Sequence, residues 1–272
     1  MNQTSGLKRD TIDKFYTKCE VAKQCGKFIR EHINLCDNDI IIEPSAGNGA
    51  WIDTIKELCV NHKFYDLYPE NEEVIKQDYL ELDYNNFKDY NNVYLIGNPP
   101  FGRQSSMALK FIKYSCLYCD GFGFIVPQSF KKDSFKNKIP LNFHMEYEID
   151  LPKNSFINNE KEFDVPCVFQ IWIKKNINRE KIVKLEPNNF KFVKKDENPD
   201  ISFRRVGVYA GKIDKDSSEK SNQSHYYIKF DNFDEDLYEK LKKLNFDNIS
   251  SNTVGPKSIS KQELIKVYNQ YT

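Results

Sequence analysis

No apolar run in this sequence of 272 residues approaches the ~20 residues that a membrane-spanning helix needs. The N-terminus is polar, so no secretory leader is expected either. Net charge is missing as well: 40 lysines and arginines cancel 40 aspartates and glutamates. That balance excludes bulk electrostatic attraction to nucleic acid and leaves the task to a local patch. Cysteine is present but forms no framework. The seven thiols are odd in number and scattered, and Cys116-Leu117-Tyr118-Cys119 has no second pair with which to build a zinc site. The expectation is therefore reduced, packed thiols, no metal, and a cytoplasmic or nuclear location, neither secreted nor membrane-bound. No internal repeat is found. The full glycine fingerprint of a dinucleotide-binding loop is lacking too.

What is present supports a sizeable core. Hydrophobic residues make up 39% and aromatic residues 14%, and the length suits one large domain, alone or with a small appendage. Residues 1–13 are polar and read as loose. Phe15-Tyr16-Thr17 precedes a helical pattern of Val21, Cys25, Phe28, Ile29 and Ile33, with Thr17 placed to cap it. Ile40-Ile41-Ile42-Glu43 is a short apolar run that ends in a carboxylate. The small-residue loop Pro44-Ser45-Ala46-Gly47-Asn48-Gly49 and a helix over 50–58 follow. Strand, small loop and helix let backbone approach a nucleotide-like ligand closely. A second run, Lys63-Phe64-Tyr65, leads to Asp66-Leu67, and a third short strand leads to Asp78-Tyr79. An acid about 20 residues beyond the first loop is where such folds hold ribose hydroxyls.

A fourth buried run, Val93 to Ile96, enters Asn98-Pro99-Pro100-Phe101. Two prolines fix two φ angles and remove two N–H donors. The turn is left with acceptors, the Asn98 side-chain oxygen and nearby carbonyls, which suit a planar substrate carrying an amino group, with Phe101 to stack on its ring. Glu43, Asp66, Asp78 and Asn98 all fall at carboxyl ends of strands, the expected ligand crevice of an open α/β sheet. Gly121 to Val126 is a fifth strand, 144–151 a sixth and 166–174 a seventh, with a polar loop from Pro152 to Asp164. Beyond residue 180 the character changes. Lys181-Ile182-Val183, Phe190-Lys191-Phe192 and Ile201-Ser202-Phe203 alternate like strands, and basic residues interleave with aromatics up to His225–Phe230. Helices are expected over 234–244 and after the capping box Ser260-Lys261-Gln262-Glu263.

Asn98-Pro99-Pro100-Phe101 resembles the catalytic motif of the S-adenosylmethionine-dependent amino-group methyltransferases, and Glu43-Pro44…Gly47…Gly49 resembles their glycine loop. The resemblance spans roughly residues 13–175. It implies a Rossmann-like seven-stranded sheet, mostly parallel with the last strand antiparallel, in a catalytic domain over 1–178. A small C-terminal α+β appendage over 179–272 would be a target-recognition or substrate-binding region. It implies S-adenosylmethionine as cofactor, held by Phe15, Tyr16, Thr17, Glu43 to Gly49, Asp66, Leu67, Asp78, Tyr79 and Asn98, with Glu43 toward the methionine amino group and Asp78 toward the adenine. The order of motifs resembles the adenine-N6 DNA enzymes, which implies a flipped base and a nucleic-acid partner, DNA ahead of RNA. A partner subunit or homodimer would offset the small recognition region. By the same resemblance the loop after the fifth strand lies beside the substrate. Gln128, Ser129, Lys131 and Lys132 are candidates there, with Arg204, Arg205 and His225 further on, and Asn154, Ser155 and Phe156 of the polar loop in a second tier. Lys131, Lys132, Lys136 and Lys138 read equally well as a phosphate grip and as a solvated face. An RNA adenine, or the amide of a protein glutamine, would be held by the same turn.

Overall fold

The computed structural model describes residues 15–253 and 255–271; the expectation for residues 1–13 lies outside them. The chain divides into two compact units. One runs to Pro127 and resumes over Lys138–Arg179, and the other comprises Gln128–Asn137 and the chain from Glu180 onward.

The first unit opens with β1 (Tyr16–Thr17) and α1 (Cys19–His32), followed by β2 (Ile40–Glu43), α2 (Ile52–Leu58), β3 (Asn61–Asp66), β4 (Ile75–Lys76), β5 (Val93–Gly97), α3 (Ser106–Ser115), β6 (Gly121–Pro127), β7 (Phe143–Asp150), β8 (Phe156–Asn158), β9 (Lys161–Phe163) and β10 (Cys167–Lys174). Seven of these strands form one sheet in the order β4-β3-β2-β5-β6-β10-β7. The pairings from β4 through β6 are parallel, while β10 runs antiparallel between β6 and β7. This is the doubly wound, Rossmann-like sheet with its last strand reversed. The strand order reverses between β2 and β5, so their carboxyl ends, Glu43 and Gly97, flank the switch point where such sheets open a crevice.

β2 is central because its sequence tolerates no other place. Ile40, Ile41 and Ile42 are all fully buried, as expected of a parallel strand covered on both faces. Each contributes about 1.5–3 kcal/mol of burial. The strand is anchored at its start by Asp39, also fully buried. Its carboxylate accepts from the Cys36 backbone N–H at 2.8 Å and from Asn92 Nδ2 at 2.7 Å. Asp39→Ala leaves those donors unpaired, so a destabilisation of about 2–3 kcal/mol is expected. It should read out as a lower denaturation midpoint at unchanged slope.

The loop from Pro152 to Asp164 is an ordered ribbon. β8 pairs with β9 and, on its other edge, with β1, so that Thr17 lies opposite Phe156 and Tyr16 opposite Ile157. Phe156 is fully buried, Ser155 Oγ donates to the Pro152 carbonyl, and the Ser155 carbonyl accepts from the Lys18 N–H. This pairing corrects the capping role read for Thr17. It holds Thr17 as strand, and α1 begins two residues later with no side-chain cap.

The second unit contains α4 (Asp133–Lys136), β11 (Phe190–Val193), β12 (Ile201–Arg204), β13 (Ile213–Asp214), β14 (His225–Phe230), α5 (Glu235–Lys242), α6 (Asp247–Ser250) and α7 (Lys261–Tyr271). Its antiparallel sheet has the order β11-β14-β12-β13. Phe190, Phe203, Ile228, Phe230, Leu264 and Tyr268 meet in a core of their own. The capping box forms as its sequence directs: Glu263 N–H donates to Ser260 Oγ, and Ser260 N–H to Glu263 Oε2. Lys181-Ile182-Val183 forms no strand. Val183 is 81% exposed, and alternation without an edge to pair with does not make a strand.

Candidate active site

A cavity of about 380 Å³ opens at the carboxyl ends of β2, β3 and β5 in the first unit. Every residue read as a cofactor or catalytic candidate lines it except Gly49: Phe15, Tyr16, Thr17, Glu43, Pro44, Ser45, Ala46, Gly47, Asn48, Asp66, Leu67, Asp78, Tyr79, Asn98, Pro99, Pro100 and Phe101. Gly49 lies in the same turn, with φ +86°.

The loop after β2 is braced by Asp66, whose two carboxylate oxygens accept from the N–H groups of Gly47 and Tyr68, each at 2.8 Å. Tyr16 lies over this loop and donates to Glu70. Gly47 has φ +52°, and a Cβ there would stand 2.8 Å from the Tyr16 ring. Both the conformation and the close approach therefore require glycine. Asp78 caps a single 3₁₀ turn, accepting from Leu80 N–H at 2.9 Å through one oxygen. Tyr79 is largely committed elsewhere. Its ring stacks on Phe111 and its hydroxyl meets Tyr84 and Ser115.

The turn Asn98-Pro99-Pro100-Phe101 is fixed from both sides. Ser45 Oγ donates to the Asn98 carbonyl at 3.0 Å. Asn98 Nδ2 donates to the Phe15 carbonyl at 3.2 Å. Only the amide nitrogen can donate to a carbonyl, so the second bond sets which way the side chain points. The Phe101 carbonyl accepts from Met107 and Ala108 N–H, tying the aromatic to the first turn of α3.

Four buried side-chain atoms among the described residues have no hydrogen-bond partner: Thr17 Oγ1, Glu43 Oε2, Trp51 Nε1 and Asn98 Oδ1. All four belong to residues of this cavity. Buried polar groups are nearly always paired, so four orphans around one void are the signature of a site built for a polar ligand. Burial pushes the Glu43 carboxyl well above the usual carboxylate range, and the neighbouring Asp66 charge adds to it. Trp51 was not a sequence candidate, nor were Tyr68, Met107 and Lys110, which also line the cavity. The one signal for Trp51 was its rarity: it is one of two tryptophans and follows the glycine loop.

The residues read as substrate contacts lie in the second unit. Gln128, Ser129 and Lys131 sit on a short 3₁₀ turn. Lys132 is ion-paired to Glu263 at 3.3 Å and donates to the Ser258 carbonyl. Arg204 Nε donates to the Val206 carbonyl. Arg205 donates to the Gln223 carbonyl and stacks over Tyr226, 5.3 Å from the ring centre. His225 is buried against Ser221 and Ser224, and burial pulls its imidazole below the ordinary range. His225 and Tyr226 line a separate groove of about 690 Å³ with Phe192, Lys194, Lys195 and Lys261. The Lys261 ammonium stands 4.3 Å above the Phe192 ring. Cys116 and Cys119 are buried free thiols.

No family model matches the chain, and no curated protein matches it. Among solved structures, it is similar over 61% of its length to a protein from Listeria monocytogenes described as a class I S-adenosylmethionine-dependent methyltransferase, with 16% identity, a TM-score of 0.45 and 63% of that protein covered. It is also similar to a protein from Vibrio vulnificus YJ016 described as the modification subunit of a type I restriction enzyme (61% of this chain, 46% of that one, 14% identity, TM-score 0.44). A third is the 23S rRNA methyltransferase ErmE (61% of this chain, 71% of that one, 11% identity, TM-score 0.43). The chain spans less than two thirds of the first two proteins, and at these identities the likeness is one of fold.

Proposed function

We propose that this protein is a methyltransferase that moves the methyl group of S-adenosylmethionine to the exocyclic amino group (N6) of adenine in DNA. The observation that carries this reading is the state of Asn98. Its Nδ2 is tied to the Phe15 carbonyl, and its Oδ1 is buried at the cavity without a partner. An acceptor held that rigidly suits an amino hydrogen.

The cavity fits the cofactor. Glu43 would face its ammonium group, and Thr17 Oγ1 and Trp51 Nε1 are donors for its carboxylate. The loop at Gly47 admits backbone close to the nucleoside. Asp66 retains lone pairs for ribose hydroxyls, and the second oxygen of Asp78 suits the adenine amino group. When bound, the cofactor supplies an electrophilic methyl group. The remaining work falls to this chain. Asn98 Oδ1 and the Pro99 carbonyl accept the two amino hydrogens of a target adenine that has left its stack, and Phe101 stacks on its ring. Drawing those hydrogens to the acceptors would turn the nitrogen lone pair out of the ring plane, free to meet the methyl that a bound cofactor would supply.

The second unit supports a polyanionic partner. Its groove brings together Lys194, Lys195 and Lys261 beside Phe192 and Tyr226, against one acid, Asp196. Cations interleaved with aromatics suit a nucleic-acid strand. Changing the three lysines to alanine should weaken DNA binding and flatten its dependence on log salt by up to about 2.7, at ~0.9 for each phosphate no longer neutralised. An unchanged slope would remove the groove from the interface. A region this small suits loose specificity, a partner subunit or a homodimer.

The deciding experiment is methyl transfer from labelled S-adenosylmethionine to double-stranded DNA, single-stranded DNA, RNA and protein in parallel, with nucleoside analysis. Label in N6-methyladenine of DNA is the expected result. Label in RNA alone, or in glutamine amides, would replace the proposed substrate. No transfer to any of them, with cofactor bound, would overturn the DNA assignment for the chain acting alone.

A further inference from the structure

Glu43 is a buried acid without a partner for its charge among the described residues. It closes β2 as a residue only 1% exposed, and its Oε2 meets no donor among the described residues. The backbone of Gly97 presses against the same carboxyl: a Cβ there would lie 3.0 Å from Glu43 Cγ and 3.2 Å from Oε1. Among the described residues, the groups packed around it offer no cation. Its neighbour on β3 is Phe64, and Thr17 and Asn98 line the same cavity. The ionisable residues lining that cavity are Asp66, Asp78 and Lys110, with the phenols of Tyr16, Tyr68 and Tyr79. Of these, Asp66 acts on Glu43 and opposes its charge, while Lys110 is exposed. A buried carboxylate with neither a cation nor a donor is among the costliest arrangements in a protein, and such a group neutralises instead.

We propose that Glu43 stands as a neutral carboxylic acid in the empty cavity and gives up its proton when a ligand bearing an ammonium group is seated beside it. This rests on the cofactor reading above and adds to it a binding step. Glu43–COOH and R–NH₃⁺ become Glu43–COO⁻ paired with R–NH₃⁺, and the proton passes to the buffer. The only covalent bond that breaks in the protein is the carboxyl O–H, and no electron moves to or from an external partner. The exchange makes the cavity selective. A ligand lacking the ammonium leaves the acid protonated and gains nothing from it. The sign follows. The carboxyl is easier to deprotonate with ligand than without, so affinity rises with pH, by up to about tenfold per unit, between the two values. In the empty protein the raised carboxyl costs stability as pH rises through its folded value, so the thermal stabilisation conferred by the ligand grows over the same interval.

The test is calorimetric binding at pH 6.5, where an α-amino group (about 7.7–8.0) is still charged. Two buffers of different ionisation enthalpy give the number of protons released. The probes are S-adenosylhomocysteine, which carries the amino-acid end, and 5′-methylthioadenosine, which lacks it. Release of about one proton with the first and none with the second is expected. Glu43→Gln should bind S-adenosylhomocysteine without release. Equal heats in both buffers for S-adenosylhomocysteine bound to the native protein would overturn the proposal while leaving the cofactor reading intact. Failure of S-adenosylhomocysteine to bind at all would remove both. The comparison of the two ligands on the native protein decides the matter even where Glu43→Gln does not fold.

Discussion

Asn98→Ala is expected to cut methyl transfer by at least about 10²–10³-fold, the scale on which loss of one preorganised hydrogen-bonding group acts in a buried site. Affinity for S-adenosylhomocysteine should change by only a fewfold. The reasoning lies in the division of labour at this side chain. Nδ2 is a structural tie to the Phe15 carbonyl, and Oδ1 is the unpaired acceptor. Alanine removes both. The tether is not alone in holding the N-terminal strand, since β1 also pairs with β8 and Tyr16 donates to Glu70. The cofactor end of the cavity therefore survives, and the loss falls on kcat. Asn98→Asp separates the two functions. It keeps an acceptor toward the cavity but sets a carboxylate oxygen against the Phe15 carbonyl, so it should retain more activity than alanine while weakening the strap. An alanine variant that transfers methyl at the native rate would end the role given to Asn98.

Much of the first unit could be read in advance because its signals are local. Ile40–Ile42 and Val93–Ile96 are apolar runs long enough for buried strands, and the carboxylate or amide that ends each run marks a crevice. What could not be read depends on pairing at a distance. β1, β8 and β9 are only two or three residues long, and they exist because β8 supplies the edges that β1 and β9 pair with. The same pairing explains why Thr17, placed by local logic at a helix cap, belongs instead to the cavity wall. Gln128–Asn137 follows β6 directly yet belongs to the second unit. Nothing in those ten residues announces that Lys132 will meet Glu263, 131 positions later. Trp51 was missed for a simpler reason. An indole beside an apolar helix reads as core, and it packs with Phe169 as core does. Only the missing partner for Nε1 reveals a second use.

Gly97→Ala should be the most damaging single-methyl change in the first unit. Gly97 ends β5 with φ +146°, a backbone conformation open to glycine and strained for any side chain, at about 1–3 kcal/mol. Space compounds the strain. The new methyl would stand 3.0 Å from Glu43 Cγ and 3.2 Å from Oε1. The Glu43 carboxyl can give way only toward the cavity it lines. Relief comes from swinging that carboxyl into the cavity or from moving β5 against β2, and either disturbs the place where Glu43 and Asn98, the next residue, meet a ligand. The expected result is a lower unfolding temperature together with loss of S-adenosylhomocysteine binding and of transfer. Gly121→Ala is the informative contrast. Its methyl would also be tight, 2.7 Å from Ile173 Cδ1, but it lies at the start of β6, where Gly121 pairs with Tyr94 rather than with the end of β5. It should cost stability and spare ligand affinity in the fraction that folds. If both variants lose stability and affinity in parallel, Gly97 serves packing alone, and its approach to Glu43 does not shape the site.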